Sequence, residues 1–197
     1  MKKQIAIIAA SLAAVCCLGG CGKKTEDQYT VLNRMLEADY SQIVLNVTNT
    51  FDEELSLTST YSINYSPASV TVHYTIERFG EPSLENPDTQ IIEKLKGVAT
   101  IKNGEVVSDT GKNSGLTADI ATLTLKFKRS YFQNTLFTGE FFVADVIYPY
   151  GFMGTKFAAQ DMKLKAYHDN FEVFDSIQIT YTSSAGYGVE YSYSFTM

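Results

Sequence analysis

No cysteine follows position 21, and His73 and His168 are the only two histidines in the 197-residue chain. Beyond Cys21 there is therefore no thiol nucleophile and no thiolate zinc site. H-E-x-x-H, G-x-S-x-G and S-x-x-K are absent, so the spacings that set a base beside a metal or a serine nucleophile are missing. Gly104 and Gly111-Lys112 stand too far apart to make a phosphate-cradling loop. Asp52-Glu53-Glu54 is contiguous, without the alternation and glycine of a calcium loop, and reads as a solvated hairpin turn. These absences point away from an enzyme, with no catalytic residue, metal or cofactor expected. His73, between Thr71 and Thr75, and His168, at a strand end, read as surface residues.

Charge is scarce too, at 19% of the chain. Its one long uncharged apolar run is Ile5 to Leu18, preceded by Lys2 and Lys3 and followed by small residues, which is the anatomy of an export signal. At 14 residues the run is shorter than the roughly 20 needed to span a bilayer as a helix. Removing Lys2 and Lys3 with the leader leaves 14 basic against 22 acidic residues. An acidic body without a basic stripe argues against nucleic acid as a partner. It also gains little overall from an anionic membrane surface, so attachment must come from a covalent anchor.

Leu18-Gly19-Gly20-Cys21 supplies one. An aliphatic residue, two small residues and a cysteine directly after an apolar run resemble the lipobox of bacterial lipoproteins. The resemblance covers only these leader residues. It implies cleavage after Gly20 and a thioether-linked diacylglycerol on Cys21, whose methylenes hold the protein to a membrane. The expected organisation is a signal peptide over 1–20, a lipidated anchor and tether over 21–24, and one domain over 25–197. Localisation is then extracytoplasmic, on the cell membrane, or on an outer membrane in an organism that has one; Gly22 is not the aspartate that resembles an inner-membrane retention signal.

About 177 residues remain after the leader, enough for one domain with a sizeable core. Thr25-Glu26-Asp27-Gln28 has capping-box spacing, and Tyr29, Leu32, Leu36, Tyr40 and Ile43, widened by Val31 and Met35, predict a helix of about four turns. From Ile43 the period changes to two. Leu55, Leu57, Tyr61, Ile63 and Tyr65, then Val70, Val72, Tyr74 and Ile76, alternate with polar residues as in antiparallel strands solvated on one face. Ser66 to Ser69 supplies a turn, Gly80 to Asp88 a loop, and Asn103-Gly104 a hairpin between strands at 98–102 and 105–107. Further strands are expected at 122–128, where a short helix near 117–123 competes, and at 140–148, 163–168, 176–182 and 189–196. The hairpin around Tyr61 and Tyr74 echoes the one around Tyr181 and Tyr191; duplication and convergence explain the echo equally well.

The expected fold is α+β and β-rich, with an N-terminal helix packed on a curved antiparallel meander sheet. That element order loosely resembles the half-barrels of lipoprotein carriers and other lipid-binding lipoproteins. The resemblance implies non-enzymatic binding of an apolar or amphipathic ligand between helix and sheet. The alternative is a cell-surface or envelope-associated module that meets a protein or polysaccharide. Tyr148, Tyr150, Phe152 and Met153, set among Pro149, Gly151 and Gly154, exceed ordinary strand composition. Such a cluster either plugs the end of a core or lines a ligand's entrance, and in the second case these four residues contact the ligand.

Overall fold

The structure, a computed structural model, describes residues 26–52, 54–66, 69–80, 90–102, 105–112, 125–153 and 159–197. The lipobox, Thr25, the 67–68 turn, the loop over 81–88, Asn103-Gly104 and the competing helix near 117–123 lie outside the described residues.

The domain is β-rich. After a helix α1 (Gln28–Leu36) come β1 (Gln42–Phe51), β2 (Glu54–Ser66), β3 (Ser69–Phe79), β4 (Ile91–Lys102) and β5 (Glu105–Asp109). A 3-10 turn (Arg129–Tyr131) leads into β6 (Phe132–Phe137), β7 (Phe141–Val146), a one-turn helix α2 (Pro149–Met153), β8 (Ala159–Asp169), β9 (Val173–Ser183) and β10 (Gly188–Thr196). The strands form one ten-stranded antiparallel sheet in the order β5-β4-β3-β2-β1-β10-β9-β8-β7-β6. It is two five-stranded meanders joined through β1 and β10, rather than one long meander. The hairpins β2–β3 and β9–β10 occupy different places in the two halves, so topology lends duplication no support.

Register places side chains in rows across the sheet. Tyr74, Tyr61, Leu45, Tyr193, Ile177, Ala166 and Phe142 lie opposite one another in successive strands, and all are buried. Two residues away on the same face runs the row Leu95, Ile76, Ser59, Val47, Tyr191, Ile179, Leu164 and Ala144. The period of two thus puts one apolar face inward. The outer face carries hydroxyl and amide pairs, such as Thr60 Oγ1 donating to Asn46 Oδ1 (2.8 Å) and Gln42 Nε2 to Ser62 Oγ (2.6 Å). Gly97 interrupts the first row because Tyr74 needs its space. A Cβ at Gly97 would stand 2.2 Å from the Tyr74 hydroxyl, which is bonded to Asp109.

Helix α1 is shorter than the sequence suggests. Its N-cap is Asp27, whose carboxylate accepts the Tyr29 N–H (3.2 Å), and it ends at Leu36. Tyr40 leaves the helix: its hydroxyl donates to the Met35 carbonyl (2.8 Å), which also accepts the Ala38 N–H (3.3 Å), so the last turn is closed by both. Ile43 belongs to β1. The apolar spacing therefore continued across a helix-to-strand junction because both elements face the same core.

The expected strand over 122–128 is corrected over 125–128; residues 122–124 lie outside the described residues. Residues 125–128 are not part of a strand; the Lys126 N–H donates to the Phe152 carbonyl (2.9 Å), and the Asn33 side chain serves the backbone of Phe127. Its Nδ2 donates to the Phe127 carbonyl (2.7 Å) and its Oδ1 accepts the Phe127 N–H (2.9 Å), as a neighbouring strand would. The edge strand β6 escapes any alternation argument, because Gln133 to Leu136 are all exposed and the pairing shifts around Asn134, whose φ is 50°.

Candidate functional site

Among the concavities of the described residues, two open on the inner face of the sheet at opposite ends of its strands. The first, of about 390 Å³, lies where α1 gives way to β1. Leu36, Ala38 and Asp39 form one wall, Ile43, Tyr193 and Phe195 the sheet floor, and Tyr40 and Leu125 the remainder. Its volume falls within the roughly 300–1,000 Å³ of small-molecule sites. Tyr40 contributes a ring and no free polar group, since its hydroxyl donates to Met35 and accepts the Phe174 N–H (2.8 Å). Burial pushes this phenol up from its ordinary range and Asp175 adds to the rise, while the Phe174 N–H works the other way. The lining side chains are thus mostly aromatic and aliphatic, with Asp39 as the one carboxylate among the described residues.

The second concavity, of about 580 Å³, is more polar. Asn49, Ser59, Tyr181 and Tyr191 line it with Val47 and Leu57, and the exposed ion pair Arg78–Glu93 (3.2 Å) stands at its flank. The Asn49 Oδ1 is buried there without a hydrogen-bond partner. Between the two runs the closed row of Tyr61, Leu45 and Tyr193, so they are separate. No protein-family model matches this chain, and no curated protein matches it. The site must accordingly be read from its own residues.

The four aromatic and apolar residues singled out above do not come together. Phe152 and Met153 are 0% exposed, and the Phe152 ring meets Phe127 (5.4 Å) and Phe132 (5.1 Å) edge-on. Tyr148 and Tyr150 are 47% and 49% exposed, with their rings 6.1 Å apart. Half of the segment is a plug and half is surface. The described concavities are lined by other residues, among which Leu36, Tyr40, Ile43, Tyr193 and Phe195 belong to sequence-visible apolar stripes. Ala38 and Leu125 carried no such signal.

The histidines divide. His73 is exposed on the outer face as expected. His168 is not a surface residue: it is 3% exposed, packed against Phe137 (5.4 Å) and Phe171 (5.1 Å). The correction has a local cause. The chain reverses over Asp169 to Glu172 with positive φ at Asn170 and Phe171 and a Glu172 N–H to Asp169 carbonyl bond (2.8 Å), a type I′ turn that folds Phe171 back over the imidazole. Nδ1 accepts the Phe171 N–H (3.4 Å) and Nε2 is buried without a partner. Burial pushes the imidazole below its ordinary 6.5, against the raising influence of Asp175 and Asp169.

The unfolded chain therefore binds a proton at His168 at higher pH than the folded one. Stability from this residue is intact above about pH 6.5 and declines as pH falls through that value toward the folded one. Urea unfolding at pH 7.5 and 5.0 should show a smaller loss on acidification in His168→Leu than in the native chain. Equal losses would remove His168 from the acid response.

Among the described residues no three His, Cys, Asp or Glu side chains form a metal-binding group, and no helix is long and apolar enough to cross a membrane.

Proposed function

We propose that this protein is a lipid-anchored, extracytoplasmic binding lipoprotein, non-enzymatic, that holds an apolar or amphipathic ligand where α1 meets the sheet. In this reading Cys21 carries the diacylglycerol, residues 22–24 tether the domain to the membrane, and α1 closes the concave face of a half-barrel-like sheet. The observation that carries the reading is the 390 Å³ groove, where Leu36, Ile43, Leu125, Tyr193 and Phe195 offer apolar side chains beside the polar Asp39, and where the Tyr40 hydroxyl is engaged by backbone groups. The apolar side chains gain from burying hydrocarbon, at about 25 cal/mol per Å² of apolar surface, and the polar rim suits the head of an amphipathic ligand.

Filling the groove tests this. Ala38→Trp adds an indole on the wall of the groove, over the Tyr193 and Phe195 floor, and removes no buried side chain. Binding of a fluorescent fatty-acid probe, cis-parinaric acid, should weaken at least about tenfold, a loss of about 1.4 kcal/mol, while the thermal midpoint stays within a few degrees. Unchanged probe binding in Ala38→Trp, or no binding by the native chain, sinks the groove as a ligand site. A second reading, a surface module meeting protein or polysaccharide, draws on the exposed side chains of Ile147, Tyr148 and Tyr150.

A further inference from the structure

The charge of the domain is unevenly placed. Over residues 125–129 the side chains part: Leu125 and Phe127 enter the core, and Lys126, Lys128 and Arg129 face solvent. Lys128 Nζ stands 5.7 Å from the centre of the Tyr131 ring. That ring meets Tyr148 (5.4 Å), and Tyr148 meets Tyr150 (6.1 Å). Ile147, also exposed, is held beside them by its N–H to the Tyr131 carbonyl (2.8 Å). Among the described residues, the three cations have no carboxylate within ion-pair distance. Elsewhere Glu26 pairs with Arg34, Asp27 caps the α1 backbone, and Asp145 meets Asn134 and Lys163. Beneath the patch, buried Phe152 and Met153 fix α2, so the surface is rigidly supported.

The first turn of α1 lies near the same patch, while Glu26 itself is drawn by Arg34 toward the Phe171 carbonyl. Tyr29, in the first turn of α1, stacks on Phe132 at 6.1 Å, one residue from Tyr131. Glu26 is five positions from Cys21, and an extended chain covers at most about 3.3–3.6 Å per residue, so the acylated cysteine is confined to within about 18 Å of Glu26. Lys23 and Lys24 lie on that stretch and add two more positive charges.

We propose that Lys126, Lys128 and Arg129, with Tyr131, Tyr148 and Tyr150, form the face that rests on the anionic headgroups of the membrane holding Cys21. This rests on the lipid-anchor reading above and adds an orientation to it. Tyrosine suits the interface, where its ring is apolar and its hydroxyl wet. Each basic residue near an anionic surface contributes about 1 kcal/mol. The acidic remainder of the domain is repelled by the same surface, so net charge and local patch together select one face.

The test needs no acyl chain. Residues 21–197 carrying Cys21→Ser are sedimented at low salt with vesicles of phosphatidylcholine, or of equal parts phosphatidylcholine and phosphatidylglycerol. Binding to the anionic vesicles should be at least about tenfold the stronger. Replacing Lys126, Lys128 and Arg129 together by glutamine should weaken binding to the anionic vesicles by about fivefold per charge, leaving only the share that Lys23 and Lys24 contribute. Tyr148→Ser with Tyr150→Ser should weaken binding further. Glutamine at Lys94, Lys96 and Lys102 of β4, in the other half of the sheet, should change nothing. Circular dichroism of each variant verifies folding. No preference for anionic vesicles, or equal behaviour of the two lysine sets, overturns the proposal and leaves the aromatic surface to a protein or polysaccharide. The mass of the Cys21 peptide from membranes reports acylation separately: an unacylated Cys21 sinks the anchor alone, and an acylated protein whose patch ignores lipid sinks only the orientation.

Discussion

Phe127→Ala is expected to lower the free energy of unfolding by about 3–5 kcal/mol, the largest loss anticipated from any single truncation in the domain. Phe127 is fully buried, and four rings surround it: Phe152 at 5.4 Å, Phe132 at 5.7 Å, Phe142 at 5.9 Å and Phe174 at 6.0 Å. They come from α2, β6, β7 and β9, so one side chain ties four elements together. Collapse around the vacated volume is restricted because both backbone groups of residue 127 are held by the Asn33 amide. Urea unfolding should show a lower midpoint with an unchanged slope. Asn33→Ala should be costly for a related reason, leaving buried backbone groups without partners at about 1–3 kcal/mol. The two changes should not add, since each loosens what the other needs. A loss below about 1 kcal/mol for Phe127→Ala would contradict a packed hub at this position.

The second large effect is on location. Cys21→Ser should move the protein from the membrane to the soluble fraction and remove the mass of the acyl chains from its N-terminus. Each buried methylene of a chain is worth about 0.8 kcal/mol, and two chains together give stable anchoring where one is marginal. A patch of three cations and a few tyrosines supplies much less, so the orienting face cannot substitute for the anchor at physiological salt. Membrane fractionation of the native and Cys21→Ser chains measures this directly. Retention of the serine variant in the membrane fraction would contradict the anchor.

The β-rich architecture was legible because a half-buried antiparallel strand writes its pleat into the sequence. Val70, Val72, Tyr74 and Ile76 on β3, and Val189, Tyr191 and Tyr193 on β10, alternate with polar residues and face inward as that alternation demands. Where packing departs from the pleat, the signal fails. The first half of β4 carries Ile91 and Ile92 side by side, both exposed, so only its second half was visible. Strand β6 has one buried residue in six positions and no alternation. Phe127 looked like a strand residue, and only a partner 94 positions away, Asn33, determines what its backbone does. His168 seemed a strand-end surface residue because a turn with two positive-φ residues, neither of them glycine, is hard to foresee, and that turn is what buries it.

The candidate site was legible in its materials and not in its assembly. Leu36, Tyr40 and Ile43 were grouped on one stripe, and the groove does use them. That the helix stops at Leu36, leaving Ala38 and Asp39 to line an opening, follows from Tyr40 reaching back to Met35, a contact no periodicity announces. The segment from Tyr148 to Met153 is unusual in sequence, and of its two readings, plug or ligand entrance, Phe152 and Met153 take the first while Tyr148 and Tyr150 are exposed and line neither groove described above.

The central claim, an apolar ligand held between α1 and the sheet, is tested most directly by native mass spectrometry of residues 21–197 carrying Cys21→Ser, purified gently from the expressing cell. The account predicts a fraction of the protein carrying a discrete lipid-sized adduct that is released by solvent extraction and is absent from Ala38→Trp. A clean apo mass for the native groove, or an adduct that persists equally in Ala38→Trp, would contradict it.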